Sequence, residues 1–272
     1  MARRNDERPA EIRPPDDDAA RITILGSGTS HGIPMIGCSC PVCTSDDVRD
    51  RRTRSCVLVE WPGASIVIDT PPEFRLQCVS HHVARVDAVL YTHTHADHIA
   101  GLDDLRRFCS MQSQAIPCYA SRSCLDCLLR KFGYAFRPVD QDYSERPRLH
   151  AVAIDGPFHL LGKTVFPLAL KHGRDDVLGF KIDRWAYCTD CSSIPPEAED
   201  QLHDLDVLII DALRYTAHPT HFNVEQTLEV IASLRPKRAY LTHIAHEIRH
   251  ADLENRLPDG VYLSYDGLQL AL

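Results

Sequence analysis

The chain has 272 residues, of which 44% are hydrophobic, and a formal net charge of -8 at pH 7. This composition is typical of a globular protein that can bury one large core or two small ones. No apolar run approaches the ~18 residues that a membrane span requires, so no membrane partner is expected. No block of five or six basic residues is present, which disfavours a nucleic-acid polymer as partner because such binding relies on phosphate neutralisation.

The first 20 residues, MARRNDERPAEIRPPDDDAA, combine charge and proline without an apolar run. They predict a disordered tail rather than a signal peptide, and residues 21–272 are predicted to form a single catalytic domain. Eleven cysteines are present, and an odd number in a chain without a secretion signal favours thiols and metal ligands over a disulfide framework. The expected location is cytoplasmic.

Apolar runs bounded by glycine, proline or polar turns predict strands along the whole chain. In chain order these are RITILG, two strands in SCVLVEWPGASIVIDT, DAVLYTH, LHAVAID, HLLGKTVFPLALKH, GFKIDRWAYCTD, DVLIIDAL and RAYLTHI. Helices are predicted to begin near Asp97 and to cover SCLDCLLRKFGYAF and NVEQTLEVIASL. Because hairpins come first and strands then alternate with helices, the pattern predicts two sheets with helices packed outside.

The segment THTHADH follows one of these strands and contains His93, His95, Asp97 and His98. Residues two apart in an extended chain project to the same side, so His93 and His95 can bind one metal ion together. Asp97 and His98 lie at the turn into a helix and can offer ligands from the opposite side. The alternative, solvated histidines at a strand end, fits a lone histidine better than this cluster. Four ligand side chains within six residues therefore predict part of a dinuclear site.

Three further ligand side chains stand where later strands end: His172 after FPLAL, Asp190 after WAYC and His243 after RAYL. The ends of strands in α/β frameworks are where functional residues concentrate. Each of these residues alone would fit a capping or surface position. Together with the first cluster they complete the ligand set of a two-metal site.

These motifs resemble those of the metallo-β-lactamase superfamily. THTHADH matches its H-x-H-x-D-H signature, and LKHG, YCTD and LTHIAH match its later metal-binding motifs in order, so the resemblance covers nearly all of residues 21–272. It implies an α/β fold, an αββα sandwich of two mixed sheets with outer helices. GSGTSHGIPMIGCSCPVC and HPTHFNVEQTLEVI are similar to the cyclic phosphodiesterase branch that contains the carbon-phosphorus lyase accessory phosphodiesterase.

The closer resemblance implies a dinuclear metal-dependent phosphoric diester hydrolase that opens a small cyclic phosphate ester, such as 5-phosphoribosyl 1,2-cyclic phosphate or a cyclic nucleotide. It implies that His93, His95 and His172 hold the first metal, that Asp97, His98 and His243 hold the second, and that Asp190 bridges them. It marks Asp97 and His221 as catalytic, with His221 contacting the phosphate. His218 lies three residues before His221, and its place before a proline favours a loop role. Imidazole and carboxylate ligands suit zinc, manganese and iron alike.

A second metal site is indicated by GCSCPVC, in which Cys38, Cys40 and Cys43 lie within six residues beside a glycine and a proline. A tight knuckle of this kind can turn three thiolates towards one tetrahedral zinc ion. The fourth ligand comes from elsewhere in the chain. The resemblance implies His246, and Cys56 is the alternative that the sequence itself offers.

Two other cysteine pairs are predicted to be apolar rather than metal-binding. Cys124 and Cys127 fall on a predicted helix, where a spacing of three places both on one core-facing stripe. Cys188 and Cys191 flank Asp190 and are predicted to line the site as small apolar residues.

Two other functions remain open on the same fold. One is another hydrolase, a thioesterase or a transfer-RNA 3'-end nuclease, although no long basic insertion for RNA is present. The other is a non-hydrolytic scaffold, which the complete ligand set and His95 disfavour, because diiron members typically carry glutamate there. The sequence does not fix the oligomeric state, and a homodimer is compatible with it. After SIVIDT the chain reads PPEF, where related sequences commonly have glycine, so the shape of the pocket is left open.

Overall fold

The computed structural model describes residues 20–138 and 145–272, and the predicted tail lies outside this part of the chain apart from Ala20. Two seven-stranded sheets pack face to face. The first contains β1 to β6 and β14, in the order β14-β1-β2-β3-β4-β5-β6. Their bounds are Arg21–Gly26, Cys56–Trp61, Ala64–Ile68, Ala88–Leu90, Ile116–Ala120, Leu149–Ala153 and, for β14, Gln269–Ala271.

The second sheet contains β7 to β13, in the order β13-β12-β11-β10-β9-β8-β7. Their bounds are Phe158–Leu160, Lys163–His172, Asp175–Ile182, Trp185–Cys188, Val207–Asp211, Arg238–Thr242 and Val261–Leu263. Both sheets are mixed: β3 to β6 and β10 to β13 pair in parallel, whereas β1 to β3 and β7 to β10 pair antiparallel.

Helices cover the outer face of each sheet. The α-helices in the described residues are α1 Phe74–Ser80, α2 Ala96–Ile99, α3 Leu105–Gln112, α4 Arg122–Phe132, α5 Pro196–Glu199, α6 Val224–Leu234 and α7 His250–Glu254. Apolar residues of α1, α3 and α4 pack on the first sheet, and those of α5, α6 and α7 pack on the second. The αββα sandwich expected from the sequence is therefore confirmed.

Strand β2 shows why the apolar runs lack the polar alternation of a surface strand. Val57 and Val59 face the core between the sheets, whereas Cys56 and Leu58 face the outer helices. Side chains alternate between the two faces of a strand, and here both faces are buried. Strand β11 behaves in the same way.

Several elements differ from the sequence prediction. Strand β5 and helix α1 were not predicted from the sequence. In β5, Pro117 interrupts the apolar pattern that would indicate a strand. HLLGKTVFPLALKH and GFKIDRWAYCTD each contain two strands, because the chain turns at Leu161 and at Asp183, both with φ near +50°. Helix α4 ends at Phe132 and continues as a 3-10 turn. Cys124 is buried on α4, but Cys127 is only half-buried, so the predicted shared stripe holds for one of the pair.

The chain direction in the two sheets decides where the ligand residues meet. The carboxyl ends of β3 and β4 in one sheet and of β8, β10 and β12 in the other lead to Asp69, the THTHADH segment, His172, Asp190 and His243. The loops that follow these strands face one another across the same edge of the sandwich.

Assignment of residues 21–272 to one domain stays a prediction. Among the described residues, no helix has the length and apolar character needed to cross a membrane.

Candidate metal and active site

Four of the predicted ligands converge at the edge between the sheets. His93, His95, His172 and Asp190 place one ligand atom each within 4.8 Å of the others. His93 Nε2 lies 3.0 Å from His95 Nδ1, although β4 ends at Leu90 and both histidines lie in the loop after it. The structure thus brings together the residues predicted for the first metal.

A second group shares one member with the first. His98, Asp190 and His243 also place ligand atoms within 4.8 Å of one another. Asp97 Oδ2 lies 3.3 Å from His98 Nε2, at the first turn of α2. Asp97, His98 and His243, which are predicted to hold the second metal, therefore lie together beside Asp190.

Asp190 stands between the two groups and presents a different oxygen to each. Its Oδ2 lies 3.8 Å from His93 Nε2, whereas its Oδ1 lies 3.2 Å from His98 Nε2 and 3.1 Å from His243 Nδ1. A carboxylate with this placement can bridge two cations.

The chemistry of these atoms fits metal ions. His98 Nε2 is fully buried, and although two carboxylate oxygens lie 3.2 and 3.3 Å away, it makes no well-aligned hydrogen bond within residues 20–138 and 145–272. This condition is unfavourable unless the atom binds a ligand. Burial lowers the pKa of His93, His172 and His243, for His243 to about 3. Neutral imidazoles are the form that coordinates a metal.

Buried partners that were not predicted from the sequence orient the ligand histidines. His98 donates from Nδ1 to Asp69 Oδ2 at 2.7 Å, and His172 donates from Nδ1 to the Thr220 carbonyl at 2.7 Å. Each bond leaves Nε2 as the nitrogen available to a metal, the usual device by which proteins fix the tautomer of a metal-binding histidine. Asp69 could have been selected from the sequence because it stands at the end of the strand SIVIDT, a position like those of the predicted ligands.

The backbone at the site adopts an uncommon conformation at three acidic or histidine residues. Asp69, Asp190 and His243 have φ values of 65°, 52° and 58°. Non-glycine residues are rarely found in this left-handed region, and such residues concentrate at functional sites. Asp190 and His243 themselves belong to the ligand groups, and Asp69 bonds the ligand His98.

The PPEF segment runs directly beside the metal motif. Thr70 N–H donates to the His98 carbonyl at 2.7 Å, and Gly101 N–H donates to the Thr70 carbonyl at 2.9 Å. A Cβ at position 101 would lie 2.1 Å from the Pro71 carbonyl oxygen. Only glycine therefore permits this close approach after α2.

His221 borders both ligand groups without belonging to either. Its ring centroid lies 4.6 Å from that of His172 and 4.8 Å from that of His243. It donates from Nδ1 to Asp211 Oδ2 at 2.7 Å. Burial raises the pKa of Asp211 to about 7. Burial alone would lower the pKa of His221, but the neighbouring Asp211 carboxylate has the larger effect, and the His221 pKa is raised. Asp211, at the end of β11, was not predicted from the sequence.

His218 has a different environment from His221. Its Nδ1 accepts hydrogen bonds from the Thr220 N–H at 3.3 Å and from the Thr220 hydroxyl at 3.2 Å. These bonds hold the loop before α6, in agreement with the loop role expected for His218, and they leave its Nε2 for other contacts.

The cysteine knuckle surrounds His246. The sulfur atoms of Cys38, Cys40 and Cys43 lie 3.3, 3.5 and 3.7 Å from His246 Nδ1. Tetrahedral zinc with ordinary bond lengths separates sulfur and nitrogen ligands by about 3.6 Å, so the four side chains fit one zinc ion. Cys56 is elsewhere: it is fully buried, and its thiol donates to the Asp69 carbonyl at 3.3 Å. Of the two candidates for fourth ligand, the geometry selects His246.

The thiols of the knuckle differ in acidity. A hydrogen bond from the Cys43 N–H lowers the pKa of Cys40 to about 6, whereas burial raises the pKa of Cys43 to about 11. A thiolate at Cys40 is the form that binds zinc. Cys188 and Cys191, beside Asp190, are fully buried, in agreement with the apolar role expected for them.

Comparison with known proteins identifies relatives over most of the chain. Residues 64–244 match the family model of the beta-lactamase superfamily domain. A crystal structure of a new diphosphatase from the PhnP family superposes with a TM-score of 0.86 at 38% identity, covering 93% of this chain and 98% of that one.

Two sequence relatives carry other names. An octanoyltransferase of Porphyromonas gingivalis strain W83 is 38% identical over 255 residues, which cover 92% of this chain but only 51% of that protein. The chain thus spans about half the length of this relative. A coenzyme PQQ synthesis protein B of Methylobacterium sp. strain 4-46 is 30% identical over 226 residues, 71% of this chain and 72% of that one.

The two sheets, the motif order and the family match agree with one another. The chain belongs to the beta-lactamase superfamily, has the metallo-β-lactamase fold and resembles the PhnP family within it.

Proposed function

We propose that this metallo-β-lactamase-fold hydrolase is a dinuclear phosphodiesterase that cleaves a small cyclic phosphate ester. The observation that carries the proposal is the Asp190 carboxylate, which presents one oxygen to His93 and the other to His98 and His243. His93, His95 and His172 would hold one ion, and Asp97, His98 and His243 the other. Zinc or manganese suits these ligands, and a structural zinc would occupy the cysteine knuckle.

Two divalent ions held there would supply Lewis acidity: they lower the pKa of water and neutralise charge on phosphoryl oxygens. The chain's own residues add orientation and proton transfer. The hydrogen bond from His221 Nδ1 to Asp211 fixes the ring and leaves Nε2 for the substrate. When the imidazole is protonated, Nε2–H can hydrogen-bond a phosphoryl oxygen or give its proton to the leaving alkoxide.

The similarity to a PhnP-family diphosphatase supports a phosphorus-containing substrate, because the match covers nearly the whole of both chains. A cavity of about 300 Å³ opens beside His221, and a volume of this size supports a small molecule over a polymer. These observations favour the cyclic diester over the nuclease alternative.

Octanoyl transfer is a second candidate, favoured by the relative that bears this name. The name belongs to a protein of about twice the matched length, and the half outside the match can account for it. Covalent acyl transfer uses an accessible nucleophile beside a base, but Cys188 and Cys191, the thiols that flank Asp190, are fully buried. The geometry therefore favours hydrolysis.

The proposal is tested by assaying purified protein of measured metal content on a panel of substrates. The panel contains 5-phosphoribosyl 1,2-cyclic phosphate, 2',3'- and 3',5'-cyclic nucleotides, bis(p-nitrophenyl) phosphate, a glutathione thioester, a precursor transfer RNA and an octanoyl thioester with an amine acceptor. Turnover of a cyclic phosphate that Asp190→Asn abolishes supports the proposal. Turnover confined to a thioester, to RNA or to octanoyl transfer would overturn it while leaving the fold and metal ligands in place.

A further inference from the structure

Arg52 and Asp50 form an ion pair in which both side chains are completely shielded from solvent. Arg52 Nη2 donates to Asp50 Oδ1 at 3.0 Å. Arginine and aspartate are almost never fully buried unless they are paired, and replacing such a pair by apolar residues is often neutral for stability or even stabilising. The pair is therefore expected to serve a purpose besides stability, and its other contacts indicate which.

The other contacts of the pair lie on the segment that follows β12. Arg52 Nη1 donates to the Ile248 carbonyl at 2.9 Å and to the Ala245 carbonyl at 3.4 Å. Asp50 Oδ1 accepts a hydrogen bond from the His250 N–H at 2.7 Å, at the first residue of α7. One buried pair thus binds three backbone groups shortly after the last of the ligand-bearing strands.

The backbone of Arg52 is fixed on its other side by the loop that leads to the cysteine knuckle. Its N–H donates to the Ile33 carbonyl at 2.9 Å, and the Ile33 N–H donates to the Arg52 carbonyl at 2.8 Å. A Cβ at position 28 would lie 2.7 Å from the Arg52 carbonyl oxygen, so glycine is required there. Gly28 also forms a β-bridge with Ile244. Arg52 therefore joins the knuckle loop to the segment after β12.

Ser55, three residues after Arg52, contacts the ligand His243 itself. Its hydroxyl donates to the Gly28 carbonyl at 3.1 Å, and its Oγ lies 3.1 Å from His243 Nδ1. His243 has a φ of 58°, and a non-glycine residue keeps such a conformation only when the surrounding structure enforces it. Residues 52–55 thus restrain both the ring of this ligand and the backbone that follows it.

We propose that the buried Arg52–Asp50 pair is a positioning device that holds His243 in place for the second metal ion. Its three bonds to residues 245–250 keep the backbone after His243 in the conformation that presents the ring, and they do so without the zinc of the knuckle. The inference rests on the proposed function only in that His243 binds a metal ion, and it does not depend on the substrate. A merely structural role would lower the stability of the fold but leave the metal site of the folded protein unchanged.

The test measures metal binding in two variants of the pair. The double variant Arg52→Met, Asp50→Asn removes both charges, so that neither is left buried and unpaired. Its affinity for one of the two catalytic ions should fall about tenfold or more, as expected when partners that orient a metal ligand are lost. Arg52→Lys keeps the charge but loses the planar fork that reaches both carbonyls, and its affinity should fall between those of the double variant and the parent. Competition titration of the metal-free proteins with a chelating dye gives the affinities.

Cobalt(II) loaded in place of the natural ions adds a spectroscopic readout. Charge-transfer bands from thiolate to cobalt report the knuckle, whereas the ligand-field bands also report the histidine and aspartate ligands. The double variant should keep the thiolate bands of the parent and show altered ligand-field bands. A change of this kind measures the geometry at the ion rather than the fraction of folded protein.

Arg49→Met is the matched control. Arg49 pairs with Asp47 and with Glu254 of α7, both at 2.8 Å, but these side chains are partly exposed. This arginine therefore links the same two regions of the chain from the surface. Its replacement should leave the metal affinities and the cobalt spectrum of the parent unchanged.

Unchanged affinities and an unchanged cobalt spectrum in the double variant and in Arg52→Lys would overturn the positioning role, and so would equal losses in Arg49→Met. A parent that binds no ion besides that of the knuckle would overturn the proposed function together with this inference, and the parent alone reveals that outcome. Thermal unfolding of each metal-free protein shows whether it is folded. If the double variant is unfolded, Arg52→Lys decides.

Discussion

His221 donates a 2.7 Å hydrogen bond to Asp211, and His98 donates a 2.7 Å hydrogen bond to Asp69. The two pairs share one geometry, yet His98 belongs to a predicted ligand group and His221 does not. The aspartate of each pair should therefore affect a different property of the enzyme.

Replacing Asp211 by asparagine should lower kcat about 10²-fold, because His221 loses the anion that orients it and supports its proton. The metal content and the KM should change little. Stopped assays with metal analysis check this, and Asp211→Glu, which keeps the charge, should recover part of the rate. Loss of metal from Asp211→Asn would contradict the role of Asp211 as a positioning residue for His221.

Replacing Asp69 by asparagine should instead weaken metal binding about 10- to 100-fold, since outer partners of this kind set the basicity and orientation of the ligand histidine. Competition titration with a chelating dye measures the affinity. Activity should return at high metal concentration. An unchanged affinity together with reduced kcat would show that the two aspartates do not differ as the geometry indicates.

His95 is the exposed member of the first ligand group. His95→Ala should abolish hydrolysis, while the free energy of unfolding of the metal-free protein should change by no more than about 0.5 kcal/mol, as expected for an exposed side chain. Urea denaturation and turnover measured on the same preparation provide the comparison. Full activity of the variant would remove the first metal group from the mechanism.

Cys40→Ala should remove one zinc ion and lower the free energy of unfolding by more than about 2 kcal/mol, because the binding energy of a structural metal is folding energy. Cys127→Ala is the matched control, since Cys127 is half-buried on α4 and outside the cluster. Zinc stoichiometry and thermal unfolding separate the two variants. Equal zinc content in the Cys40 variant and the parent would exclude the knuckle as a metal site.

Asp266 provides a pH-dependent prediction away from the metal ligands. It accepts hydrogen bonds from Ser27 and Thr53, but its burial raises its pKa from 3.8 to about 6. The folded protein therefore holds this proton more tightly than the unfolded chain does between these pH values. The stabilisation is present below about pH 4 and declines as the pH rises to about 6, by about 3 kcal/mol in total.

Asp266→Asn should remove this decline, so that the difference in stability between the parent and the variant changes across pH 4 to 6. Urea denaturation at half-unit pH intervals measures both proteins. Parallel stability profiles would show that Asp266 does not titrate in this window.

The most local features of this protein were the most predictable. THTHADH places four ligand side chains within six residues, so their convergence depends on short-range geometry alone. The knuckle of Cys38, Cys40 and Cys43 is equally local. Most strands could be predicted because burial of both faces leaves nearly continuous apolar segments. Strand β5 was not predicted, because Pro117 interrupts its apolar pattern.

The sequence by itself determined the family, the αββα fold and the set of side chains with ligand chemistry. Only the tertiary structure decided which distant residues meet. It placed His246 rather than Cys56 at the knuckle, and it assigned Asp69 to His98 and Asp211 to His221. An aspartate at a strand end has the same local pattern whether it binds a metal, orients a histidine or caps a turn, and its role depends on which strand lies opposite across the edge of the two sheets.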